Sequence, residues 1–341
     1  MKHFIDKTTR CALFLALGLG CGAAQAVDYR DYPALLELVE TMVSEDAYPR
    51  AELAAVLETA AIDRSVIEAI SRPYESKPWH EYRALFITEA RIRDGVAYWN
   101  LHTATLNRAT RAYGVPAAII VALLGVETHY GTRLGGRRVL DSLVTLAAEY
   151  PRRSAFFSKE LRVFLNTARA DAFAPQSVKG SFAGAIGIAQ FMPSSYRAYA
   201  VDFNANGRRD LVREVEDAIG SVGNYLARHG WRREERIFAA VEGGDDGGGG
   251  ALPAAAAELL SKSAKPHWSA AQLAAAGVAF DATGGGEKMA LLRLQEADAP
   301  RYVVGFHNFY AITRYNPSVN YAMAVTELSR RIERQRGAAA E

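Results

Sequence analysis

Cysteine is nearly absent from this chain of 341 residues. Its two cysteines, Cys11 and Cys21, both lie within the first 26 residues, which have the features of a secretory leader. Removal of that leader leaves no thiol, so disulfide bonds and cysteine chemistry are excluded. A positive charge excess is also missing, because 40 Lys and Arg stand against 38 Asp and Glu. Without the leader the counts become equal (40 − 3 and 38 − 1), which argues against nucleic-acid binding.

Long hydrophobic runs are lacking as well. The apolar stretch from Cys11 to about Gly20 is too short for a permanent span, and no later run reaches the ~20 residues that a span needs. A basic start before this stretch and the tripeptide Ala24-Gln25-Ala26 after it predict a signal peptide over residues 1–26. Cys21 offers an alternative, lipid attachment, although the aliphatic residue usual three positions earlier is missing.

The rest of the sequence has mostly helical periodicity and predicts a mainly α fold of the α+β type. One long helix is expected over 96–113, with Tyr98, Leu101 and Leu106 among its packing residues. A glycine-rich stretch at 243–250 predicts a flexible loop. The expected units are an N-terminal helical domain (27–112), a core (113–231), a small α+β insertion (232–300) and a segment that returns to the core and ends as a helix (301–341).

One acid stands in an almost entirely apolar helix. Pro116 suits the first turn of this helix and Gly131 its C-terminal stop. Glu127 shares one face of the helix with Ile120, Leu123 and Leu124, because successive members of this set are spaced three or four residues apart. Burial disfavours the charged carboxylate and raises its pKa by up to ~3–5 units, so that a protonated acid could donate to a leaving oxygen. The alternative is a structural glutamate that caps a helix or pairs with an arginine.

Two further segments suggest ligand contacts. In 179–195, glycines and alanines would let a ligand approach the backbone, while Ser181 and Gln190 supply neutral hydrogen bonds. The alternative is a segment of small residues that packs helices. In 308–323, tyrosines beside Asn316 could stack on sugar rings, or they could be ordinary residues at the edge of the core.

A third segment resembles an EF-hand loop. Asp202, Asn204 and Asn206 supply oxygens at positions 1, 3 and 5, and Arg208 offers its backbone carbonyl at position 7. Position 12 departs from the pattern, because Arg213 stands where a bidentate glutamate is expected. The sequence therefore predicts a weak structural calcium site, with an Asn- and Gly-rich turn as the alternative.

Taken together, these segments resemble the lytic murein transglycosylase B family (glycoside hydrolase family 103). The match runs from about residue 78 to residue 325 and rests on the G-V-E-T, G-S-F-A-G-A-x-G-x-x-Q-F-M-P-S-S and I-T-R-Y-N runs. The resemblance implies a lysozyme-like catalytic core in the periplasm, with a helical flanking domain and a small β-containing insertion. It also implies cleavage of the β-1,4 bond from N-acetylmuramic acid to N-acetylglucosamine, with formation of a 1,6-anhydromuramoyl end.

The resemblance also assigns roles to residues. Glu127 becomes the acid/base, and Asp217 the acid that closes the metal loop. The matching glycan-site positions are Ser181, Gln190, Tyr225, Tyr315, Asn316 and Tyr321, with Tyr82, Arg152 and Arg153 more peripheral. No organic cofactor is implied. We expect a monomer that binds peptidoglycan glycan strands and no nucleic acid, and complexes with other cell-wall enzymes are left open.

A single acid fits this chemistry. Glycosidases usually pair two carboxylates, ~5–5.5 Å apart for retention and ~6.5–9.5 Å for inversion. No second acid stands beside Gly184 or Gln190 in the segment expected to face Glu127. One acid suffices if the substrate supplies the nucleophile through its own 6-hydroxyl. Two alternatives remain, a muramidase that hydrolyses the same bond and a non-catalytic peptidoglycan-binding protein, although loss of Glu127 or Gln190 would be expected in the latter.

Overall fold

A computed structural model describes residues 27–71, 77–242 and 252–338. The predicted leader with Cys21 and the glycine-rich loop at 243–250 lie outside these residues. The expectation of a mainly α fold with small sheets is confirmed, since helices dominate the described chain.

The core is built around one buried helix, α7 (Ala117–Thr128), in which every residue except Glu127 is buried. An apolar surface on all sides requires neighbours on all sides. These neighbours are α5 (Glu89–Leu101), α6 (Thr103–Tyr113), α11 (Val215–Arg228) and α15 (Val319–Ala338). The C-terminal helix α15 therefore belongs to the core, and α4 (Trp79–Phe86) packs against it.

A second layer of helices joins the N-terminal segment to the core. Here α1 (Pro33–Glu45) and α3 (Ser65–Ile70) contact α8 (Val139–Glu149), and α1 also contacts α9 (Ser154–Ala170). Between α1 and α3 lies α2 (Arg50–Glu58), and α10 (Pro193–Tyr199) packs on α9. The contacts of the predicted unit 27–112 are thus divided between two places. Helices α1 and α3 pack on the layer of α8 and α9, whereas α4–α6 pack on the central helices.

The single helix expected over 96–113 is wrong. The chain breaks at His102, which ends α5 and precedes α6. Tyr98 and Leu106 are buried as predicted, but the side chain of Leu101 is 79% exposed. His102 has φ −108° and ψ 21°, outside the α-helical region, so one helical periodicity cannot be carried across it to place Leu101.

The small sheet forms from strands that are far apart in sequence. Strand β5 (Arg301–Gly305) lies in the middle, with β3 (Phe238–Ala240) on one side and β4 (Ala290–Leu294) on the other, all antiparallel. The short helices α12 (Ala254–Ala257) and α13 (Ala270–Ala275) complete this region. Immediately after β5 comes α14 (His307–Thr313), which leads back to α15 and couples the sheet to the core.

One further pair of strands lies in the core. Strands β1 (Arg137–Arg138) and β2 (Lys179–Gly180) pair antiparallel just before Ser181. Within the described ranges no single helix is long and apolar enough to cross a bilayer. Helices α6 and α7 pass that test only as a pair, and they are bent by 112° at the break between them.

Candidate active site

The site begins at the last turn of α7, where Glu127 is the one partly exposed residue of an otherwise buried helix. The helix ends earlier than the sequence predicted, since Thr128 is its last residue and the stop at Gly131 is wrong. His129, Tyr130 and Gly131 all have left-handed backbone angles, with φ of 50°, 61° and 86°. Side chains rarely adopt this conformation, so tertiary contacts must hold the two non-glycine residues in place.

Those contacts come from α5. The hydroxyl of Tyr130 donates to the Arg91 carbonyl at 2.7 Å, and its ring lies against two glycines, Gly95 and Gly125. A Cβ at either glycine would come within 2.7 Å of this side chain. Close packing therefore explains Gly125 next to the acid, and the wedged ring fixes the direction in which the chain leaves α7.

The carboxylate of Glu127 accepts a hydrogen bond from the hydroxyl of Tyr321, which lies in the first turn of α15. Tyr321 is only 2% exposed. Burial raises the pKa of this phenol well above its ordinary value, and the negative charge of Glu127 raises it further. Tyr321 therefore remains a proton donor to the carboxylate over the whole physiological pH range.

The glycine-rich segment forms a tight turn after β2. A Cβ at Gly180 would meet the Ala185 carbonyl at 2.1 Å, and one at Gly187 would meet the Leu211 carbonyl at 2.3 Å. At Gly184 it would meet the Leu143 side chain at 2.5 Å. At these three positions atoms of the protein itself occupy the space that a side chain would need, so close packing explains the glycines, as the packing alternative expects. The approach of a ligand to this segment stays a prediction.

The two polar residues of this turn are held by the backbone. The hydroxyl oxygen of Ser181 accepts from the Ala183 and Ala185 amides at 3.2 and 3.0 Å. Gln190 has a φ of 50°, and its side-chain amide donates to the carbonyls of Gly187 at 2.9 Å and Leu134 at 3.2 Å. Both residues are partly exposed, so each keeps a fixed orientation at the surface of the turn.

Aromatic side chains connect this turn to the C-terminal segment. The Tyr315 hydroxyl donates to the Ala189 carbonyl at 2.5 Å, directly before Gln190. The Tyr315 ring lies 6.4 Å from Tyr321 in a stacked arrangement and 4.8 Å from Tyr225. Tyr225 is 6% exposed and donates its hydroxyl to the Arg314 carbonyl, so it supports Tyr315 from behind.

The structure thus brings together most of the predicted site. Glu127, Tyr321, Tyr315, Tyr225 and the Ser181 turn come from segments far apart in sequence and meet at one place. Glu127 is an acid whose charge raises the pKa of all three tyrosines, which agrees with their proximity. Asn316, the partly exposed residue after Tyr315, lies in the same segment.

Three peripheral positions lie differently. Tyr82 is 1% exposed in α4, where it stacks on Trp79 and adjoins Tyr321, so it supports the tyrosine that holds Glu127. Arg152 and Arg153 are exposed at the C-terminal end of α8, whereas the Ser181 turn contacts the first turn of that helix. A helix of eleven residues is about 16 Å long. A ligand that touches both places must extend along α8.

The EF-hand-like loop lies between α10 and α11. Asp202 accepts from the Asn206 and Gly207 amides at 3.0 and 2.7 Å, and the Asn206 oxygen accepts from the Arg208 amide at 3.0 Å. Its oxygen-bearing side chains at positions 1, 3 and 5 therefore face the interior of one turn. Such a donor set suits a hard cation such as calcium.

Glu214 also contacts this loop and was not among the residues predicted from the sequence. Its carboxylate accepts hydrogen bonds from the side-chain amides of Asn204 at 2.5 Å and Asn206 at 2.8 Å. Asp217, by contrast, is fully buried and accepts from the Phe203 and Asp210 backbone amides at 2.7 and 2.9 Å. Burial raises the pKa of Asp217, and these amides oppose that rise. The sequence did contain a signal for Glu214, because this acid directly follows Arg213, the position where the EF-hand pattern expects a glutamate.

Comparison with known proteins identifies the family. Residues 31–330 match the transglycosylase SLT domain. The chain is 40% identical over 316 residues to membrane-bound lytic murein transglycosylase B of Escherichia coli (strain K12). The aligned region covers 89% of this chain and 84% of that protein.

Solved structures agree with this match. Soluble lytic transglycosylase SltB1 from Pseudomonas aeruginosa superposes with a TM-score of 0.80 at 42% identity, over 88% of this chain and 98% of that one. Escherichia coli Slt35, solved in complex with calcium, superposes with a TM-score of 0.81 at 39% identity, over 92% and 96%. The protein therefore belongs to the lytic murein transglycosylase family, whose members are enzymes that act on peptidoglycan.

Proposed function

We propose that this protein cleaves the β-1,4 bond between N-acetylmuramic acid and N-acetylglucosamine in peptidoglycan and leaves a 1,6-anhydromuramoyl end, with Glu127 as its single acid/base. The observation that carries this proposal is the half-buried Glu127 carboxylate, bound by the Tyr321 hydroxyl and surrounded by neutral hydrogen-bonding groups and aromatic rings. Such a site protonates a leaving oxygen without binding a metal or a nucleotide.

The geometry suggests how the acid works. A protonated Glu127 donates its proton to the glycosidic oxygen as the bond from this oxygen to the muramoyl anomeric carbon breaks, and the N-acetylglucosamine end leaves as an alcohol. The muramoyl 6-hydroxyl oxygen then forms the new bond to the anomeric carbon, and its proton passes to the Glu127 anion. Tyr321 holds one carboxylate oxygen and donates to the anion that forms in the first step. A hydrogen bond to a charged group contributes about 1.5–3 kcal/mol, more than a neutral one.

Glycan contacts follow from the same arrangement. Ser181, Gln190 and Asn316 offer fixed polar groups, and Tyr315 presents a half-buried ring beside them. Tyr225 packs against the Tyr315 ring and holds it in position. We place Arg152 and Arg153 along the extended path of the strand, where their positive charge suits the carboxylates of peptidoglycan peptides.

Product analysis tests the reaction. Digestion of purified sacculi should release muropeptides lighter by one water than hydrolytic products, and Glu127→Gln should abolish their release while the melting temperature stays within a few degrees of wild type. Reducing muramic acid ends would identify a muramidase instead. Near-normal turnover by folded Glu127→Gln would exclude Glu127 as the acid/base.

We propose further that the loop from Asp202 binds one structural calcium ion. Asp202, Asn204, Asn206 and the Arg208 carbonyl supply oxygens from the loop, and Glu214 lies within hydrogen-bond distance of two of these side chains. The calcium complex of Slt35 supports a cation site in a protein with the same fold. Asp217 was the expected closing acid, and its backbone hydrogen bonds also suit it to holding the loop in shape.

We place the protein in the periplasm, as its predicted leader and its relationship to a membrane-bound transglycosylase suggest. Lipid attachment at Cys21 is the alternative to cleavage after Ala26. Fractionation of cells expressing the full chain separates the two, because a Cys21→Ala variant changes from membrane to soluble fraction only if the lipid is attached.

A further inference from the structure

A cavity lies where the small sheet region meets the core. Its volume is about 710 Å³. Arg232, His307 and Tyr310 line the side near α14, and Lys265 and Lys288 lie in the insertion opposite. Cavities between structural units are common ligand sites. This one shares no lining residue with the predicted glycan site.

The core side of this cavity is rigid. Glu235 accepts from the His307 backbone amide at 3.0 Å and from the Arg232 guanidinium at 3.0 Å. The Asn308 side-chain oxygen accepts from the Arg232 backbone amide at 2.8 Å, and its side-chain nitrogen donates to the Arg232 carbonyl, also at 2.8 Å. A Cβ at Gly286 would lie 2.9 Å from the Arg232 guanidinium. These contacts fix the position of Arg232 at the cavity wall.

The opposite side carries two lysines. Lys265 and Lys288 are exposed, and neither forms an ion pair within the described ranges. The His267 amide donates to the Met289 carbonyl at 3.0 Å, which holds the two lysine-bearing segments side by side. Glu287 also lines the cavity, but Glu235 is already bound to Arg232, so the cationic groups are in excess.

The polar character of the cavity suits an anion that also has apolar parts. Burial and the charge of Arg232 lower the pKa of His307, so this ring is neutral at pH 7 and offers a hydrogen bond without charge. The Tyr310 ring stands 6.2 Å from it, edge to face, and the Arg314 guanidinium lies 5.8 Å from the same tyrosine. The cationic side chains suit the carboxylates of a short acidic peptide, and the aromatic surface suits its apolar parts.

We propose that this cavity binds the carboxylate-bearing peptide attached to muramic acid. The proposal rests on the proposed peptidoglycan substrate. Tyr310 precedes Tyr315 by five residues, which limits their separation to about 18 Å, and an extended peptide of five residues is about 17 Å long. Because Tyr310 lies in a helix that ends at Thr313, the true separation is shorter than this limit. A peptide on a sugar bound near Tyr315 is therefore long enough to reach Tyr310, which lines the same cavity as the two lysines.

Calorimetry with two ligands tests this proposal. One is a muramic-acid-containing disaccharide that carries its pentapeptide, and the other is the same disaccharide without the peptide. In Lys265→Ala/Lys288→Ala the affinity for the peptide-bearing ligand should fall roughly fivefold, while the peptide-free ligand binds as in wild type. The arginine pair Lys265→Arg/Lys288→Arg should retain binding, because the positive charge remains.

The matched control is Lys159→Ala/Lys262→Ala, which removes two exposed lysines that do not line the cavity. Equal binding of the peptide-bearing ligand by wild type and the cavity variant overturns the proposal, and so does an equal loss in the control. Wild-type cleavage of peptide-free glycan strands is measured in parallel. Absence of that cleavage contradicts the proposed function instead, so the two failures are distinguishable.

Discussion

At the scale of single residues, the acid site depends on one hydroxyl group. Tyr321 is buried, and its hydroxyl donates to the carboxylate of Glu127. Removal of the hydroxyl leaves the ring and its packing in place but no longer orients the acid or stabilises its anion. Removal of the hydroxyl therefore tests the role of Tyr321 in the proposed catalysis separately from its role in the fold.

Tyr321→Phe should lower kcat by roughly 10- to 100-fold, since a hydrogen bond to a charged group contributes about 1.5–3 kcal/mol. KM should change little because the hydroxyl faces the acid. Steady-state kinetics on soluble glycan strands provide the measurement, and Tyr302→Phe in β5 is the control. An unchanged kcat would show that Tyr321 is only a packing residue.

At the scale of elements, one ionic cluster connects α1 to α9. Asp46, directly after α1, accepts from Arg162 at 2.6 and 2.7 Å and from Asn166 at 2.7 Å. The Arg162 guanidinium is the main reason that the pKa of Asp46 lies below its usual range. A carboxylate whose pKa is lowered by folding stabilises the protein above its unfolded pKa of about 3.9, and this contribution is lost as pH falls through the folded pKa.

Asp46→Asn should therefore lower the free energy of unfolding by about 1–2 kcal/mol at pH 7. The difference from wild type should shrink below pH ~3.9, where Asp46 of the unfolded chain gains a proton, and it should be lost as pH falls through the lower folded pKa. Urea unfolding at the two pH values measures it. Asp28→Asn, which alters an exposed pair with Arg30, should cost less than about 0.5 kcal/mol. A pH-independent difference would show that the charge of Asp46 is not the cause.

At the scale of the whole molecule, the loop from Asp202 contacts two helices of the core, α6 and α11. Arg108 of α6 donates to the Phe203 carbonyl at 2.6 Å, and the Phe203 ring packs against Gly220 of α11. A cation bound by this loop in the folded state alone stabilises the entire fold, by about 2.7 kcal/mol at a hundredfold excess over its Kd.

Calcium should accordingly raise the melting temperature, and Asp202→Ala should remove the effect. Glu214→Gln should weaken calcium binding about tenfold, because affinity follows the number of charged ligands. Glu216→Gln, two residues further on, is the control and should respond as wild type does. Identical calcium titrations of Glu214→Gln and wild type would exclude Glu214 as a ligand, and a melting curve indifferent to calcium would exclude the site.

Sequence alone determined the helical class and the family, and it singled out Glu127 as the candidate acid. Apolar spacing shows which residues of a helix are buried, and the G-V-E-T and I-T-R-Y-N runs carry the resemblance to the family. Local patterns also located the oxygen donors of the metal loop, because an EF-hand loop takes its ligands from consecutive positions.

Only the tertiary structure decided which distant residues contact one another. Tyr321 lies 194 positions from Glu127, and no periodicity of the sequence could pair the two. Nor could it show that atoms of the protein occupy the space beside the glycines at 180–187 that a side chain would need. The left-handed end of α7 has the same origin, since Tyr130 is held there by its hydrogen bond to Arg91 of α5. Such contacts with a distant element override the local preferences that a sequence displays.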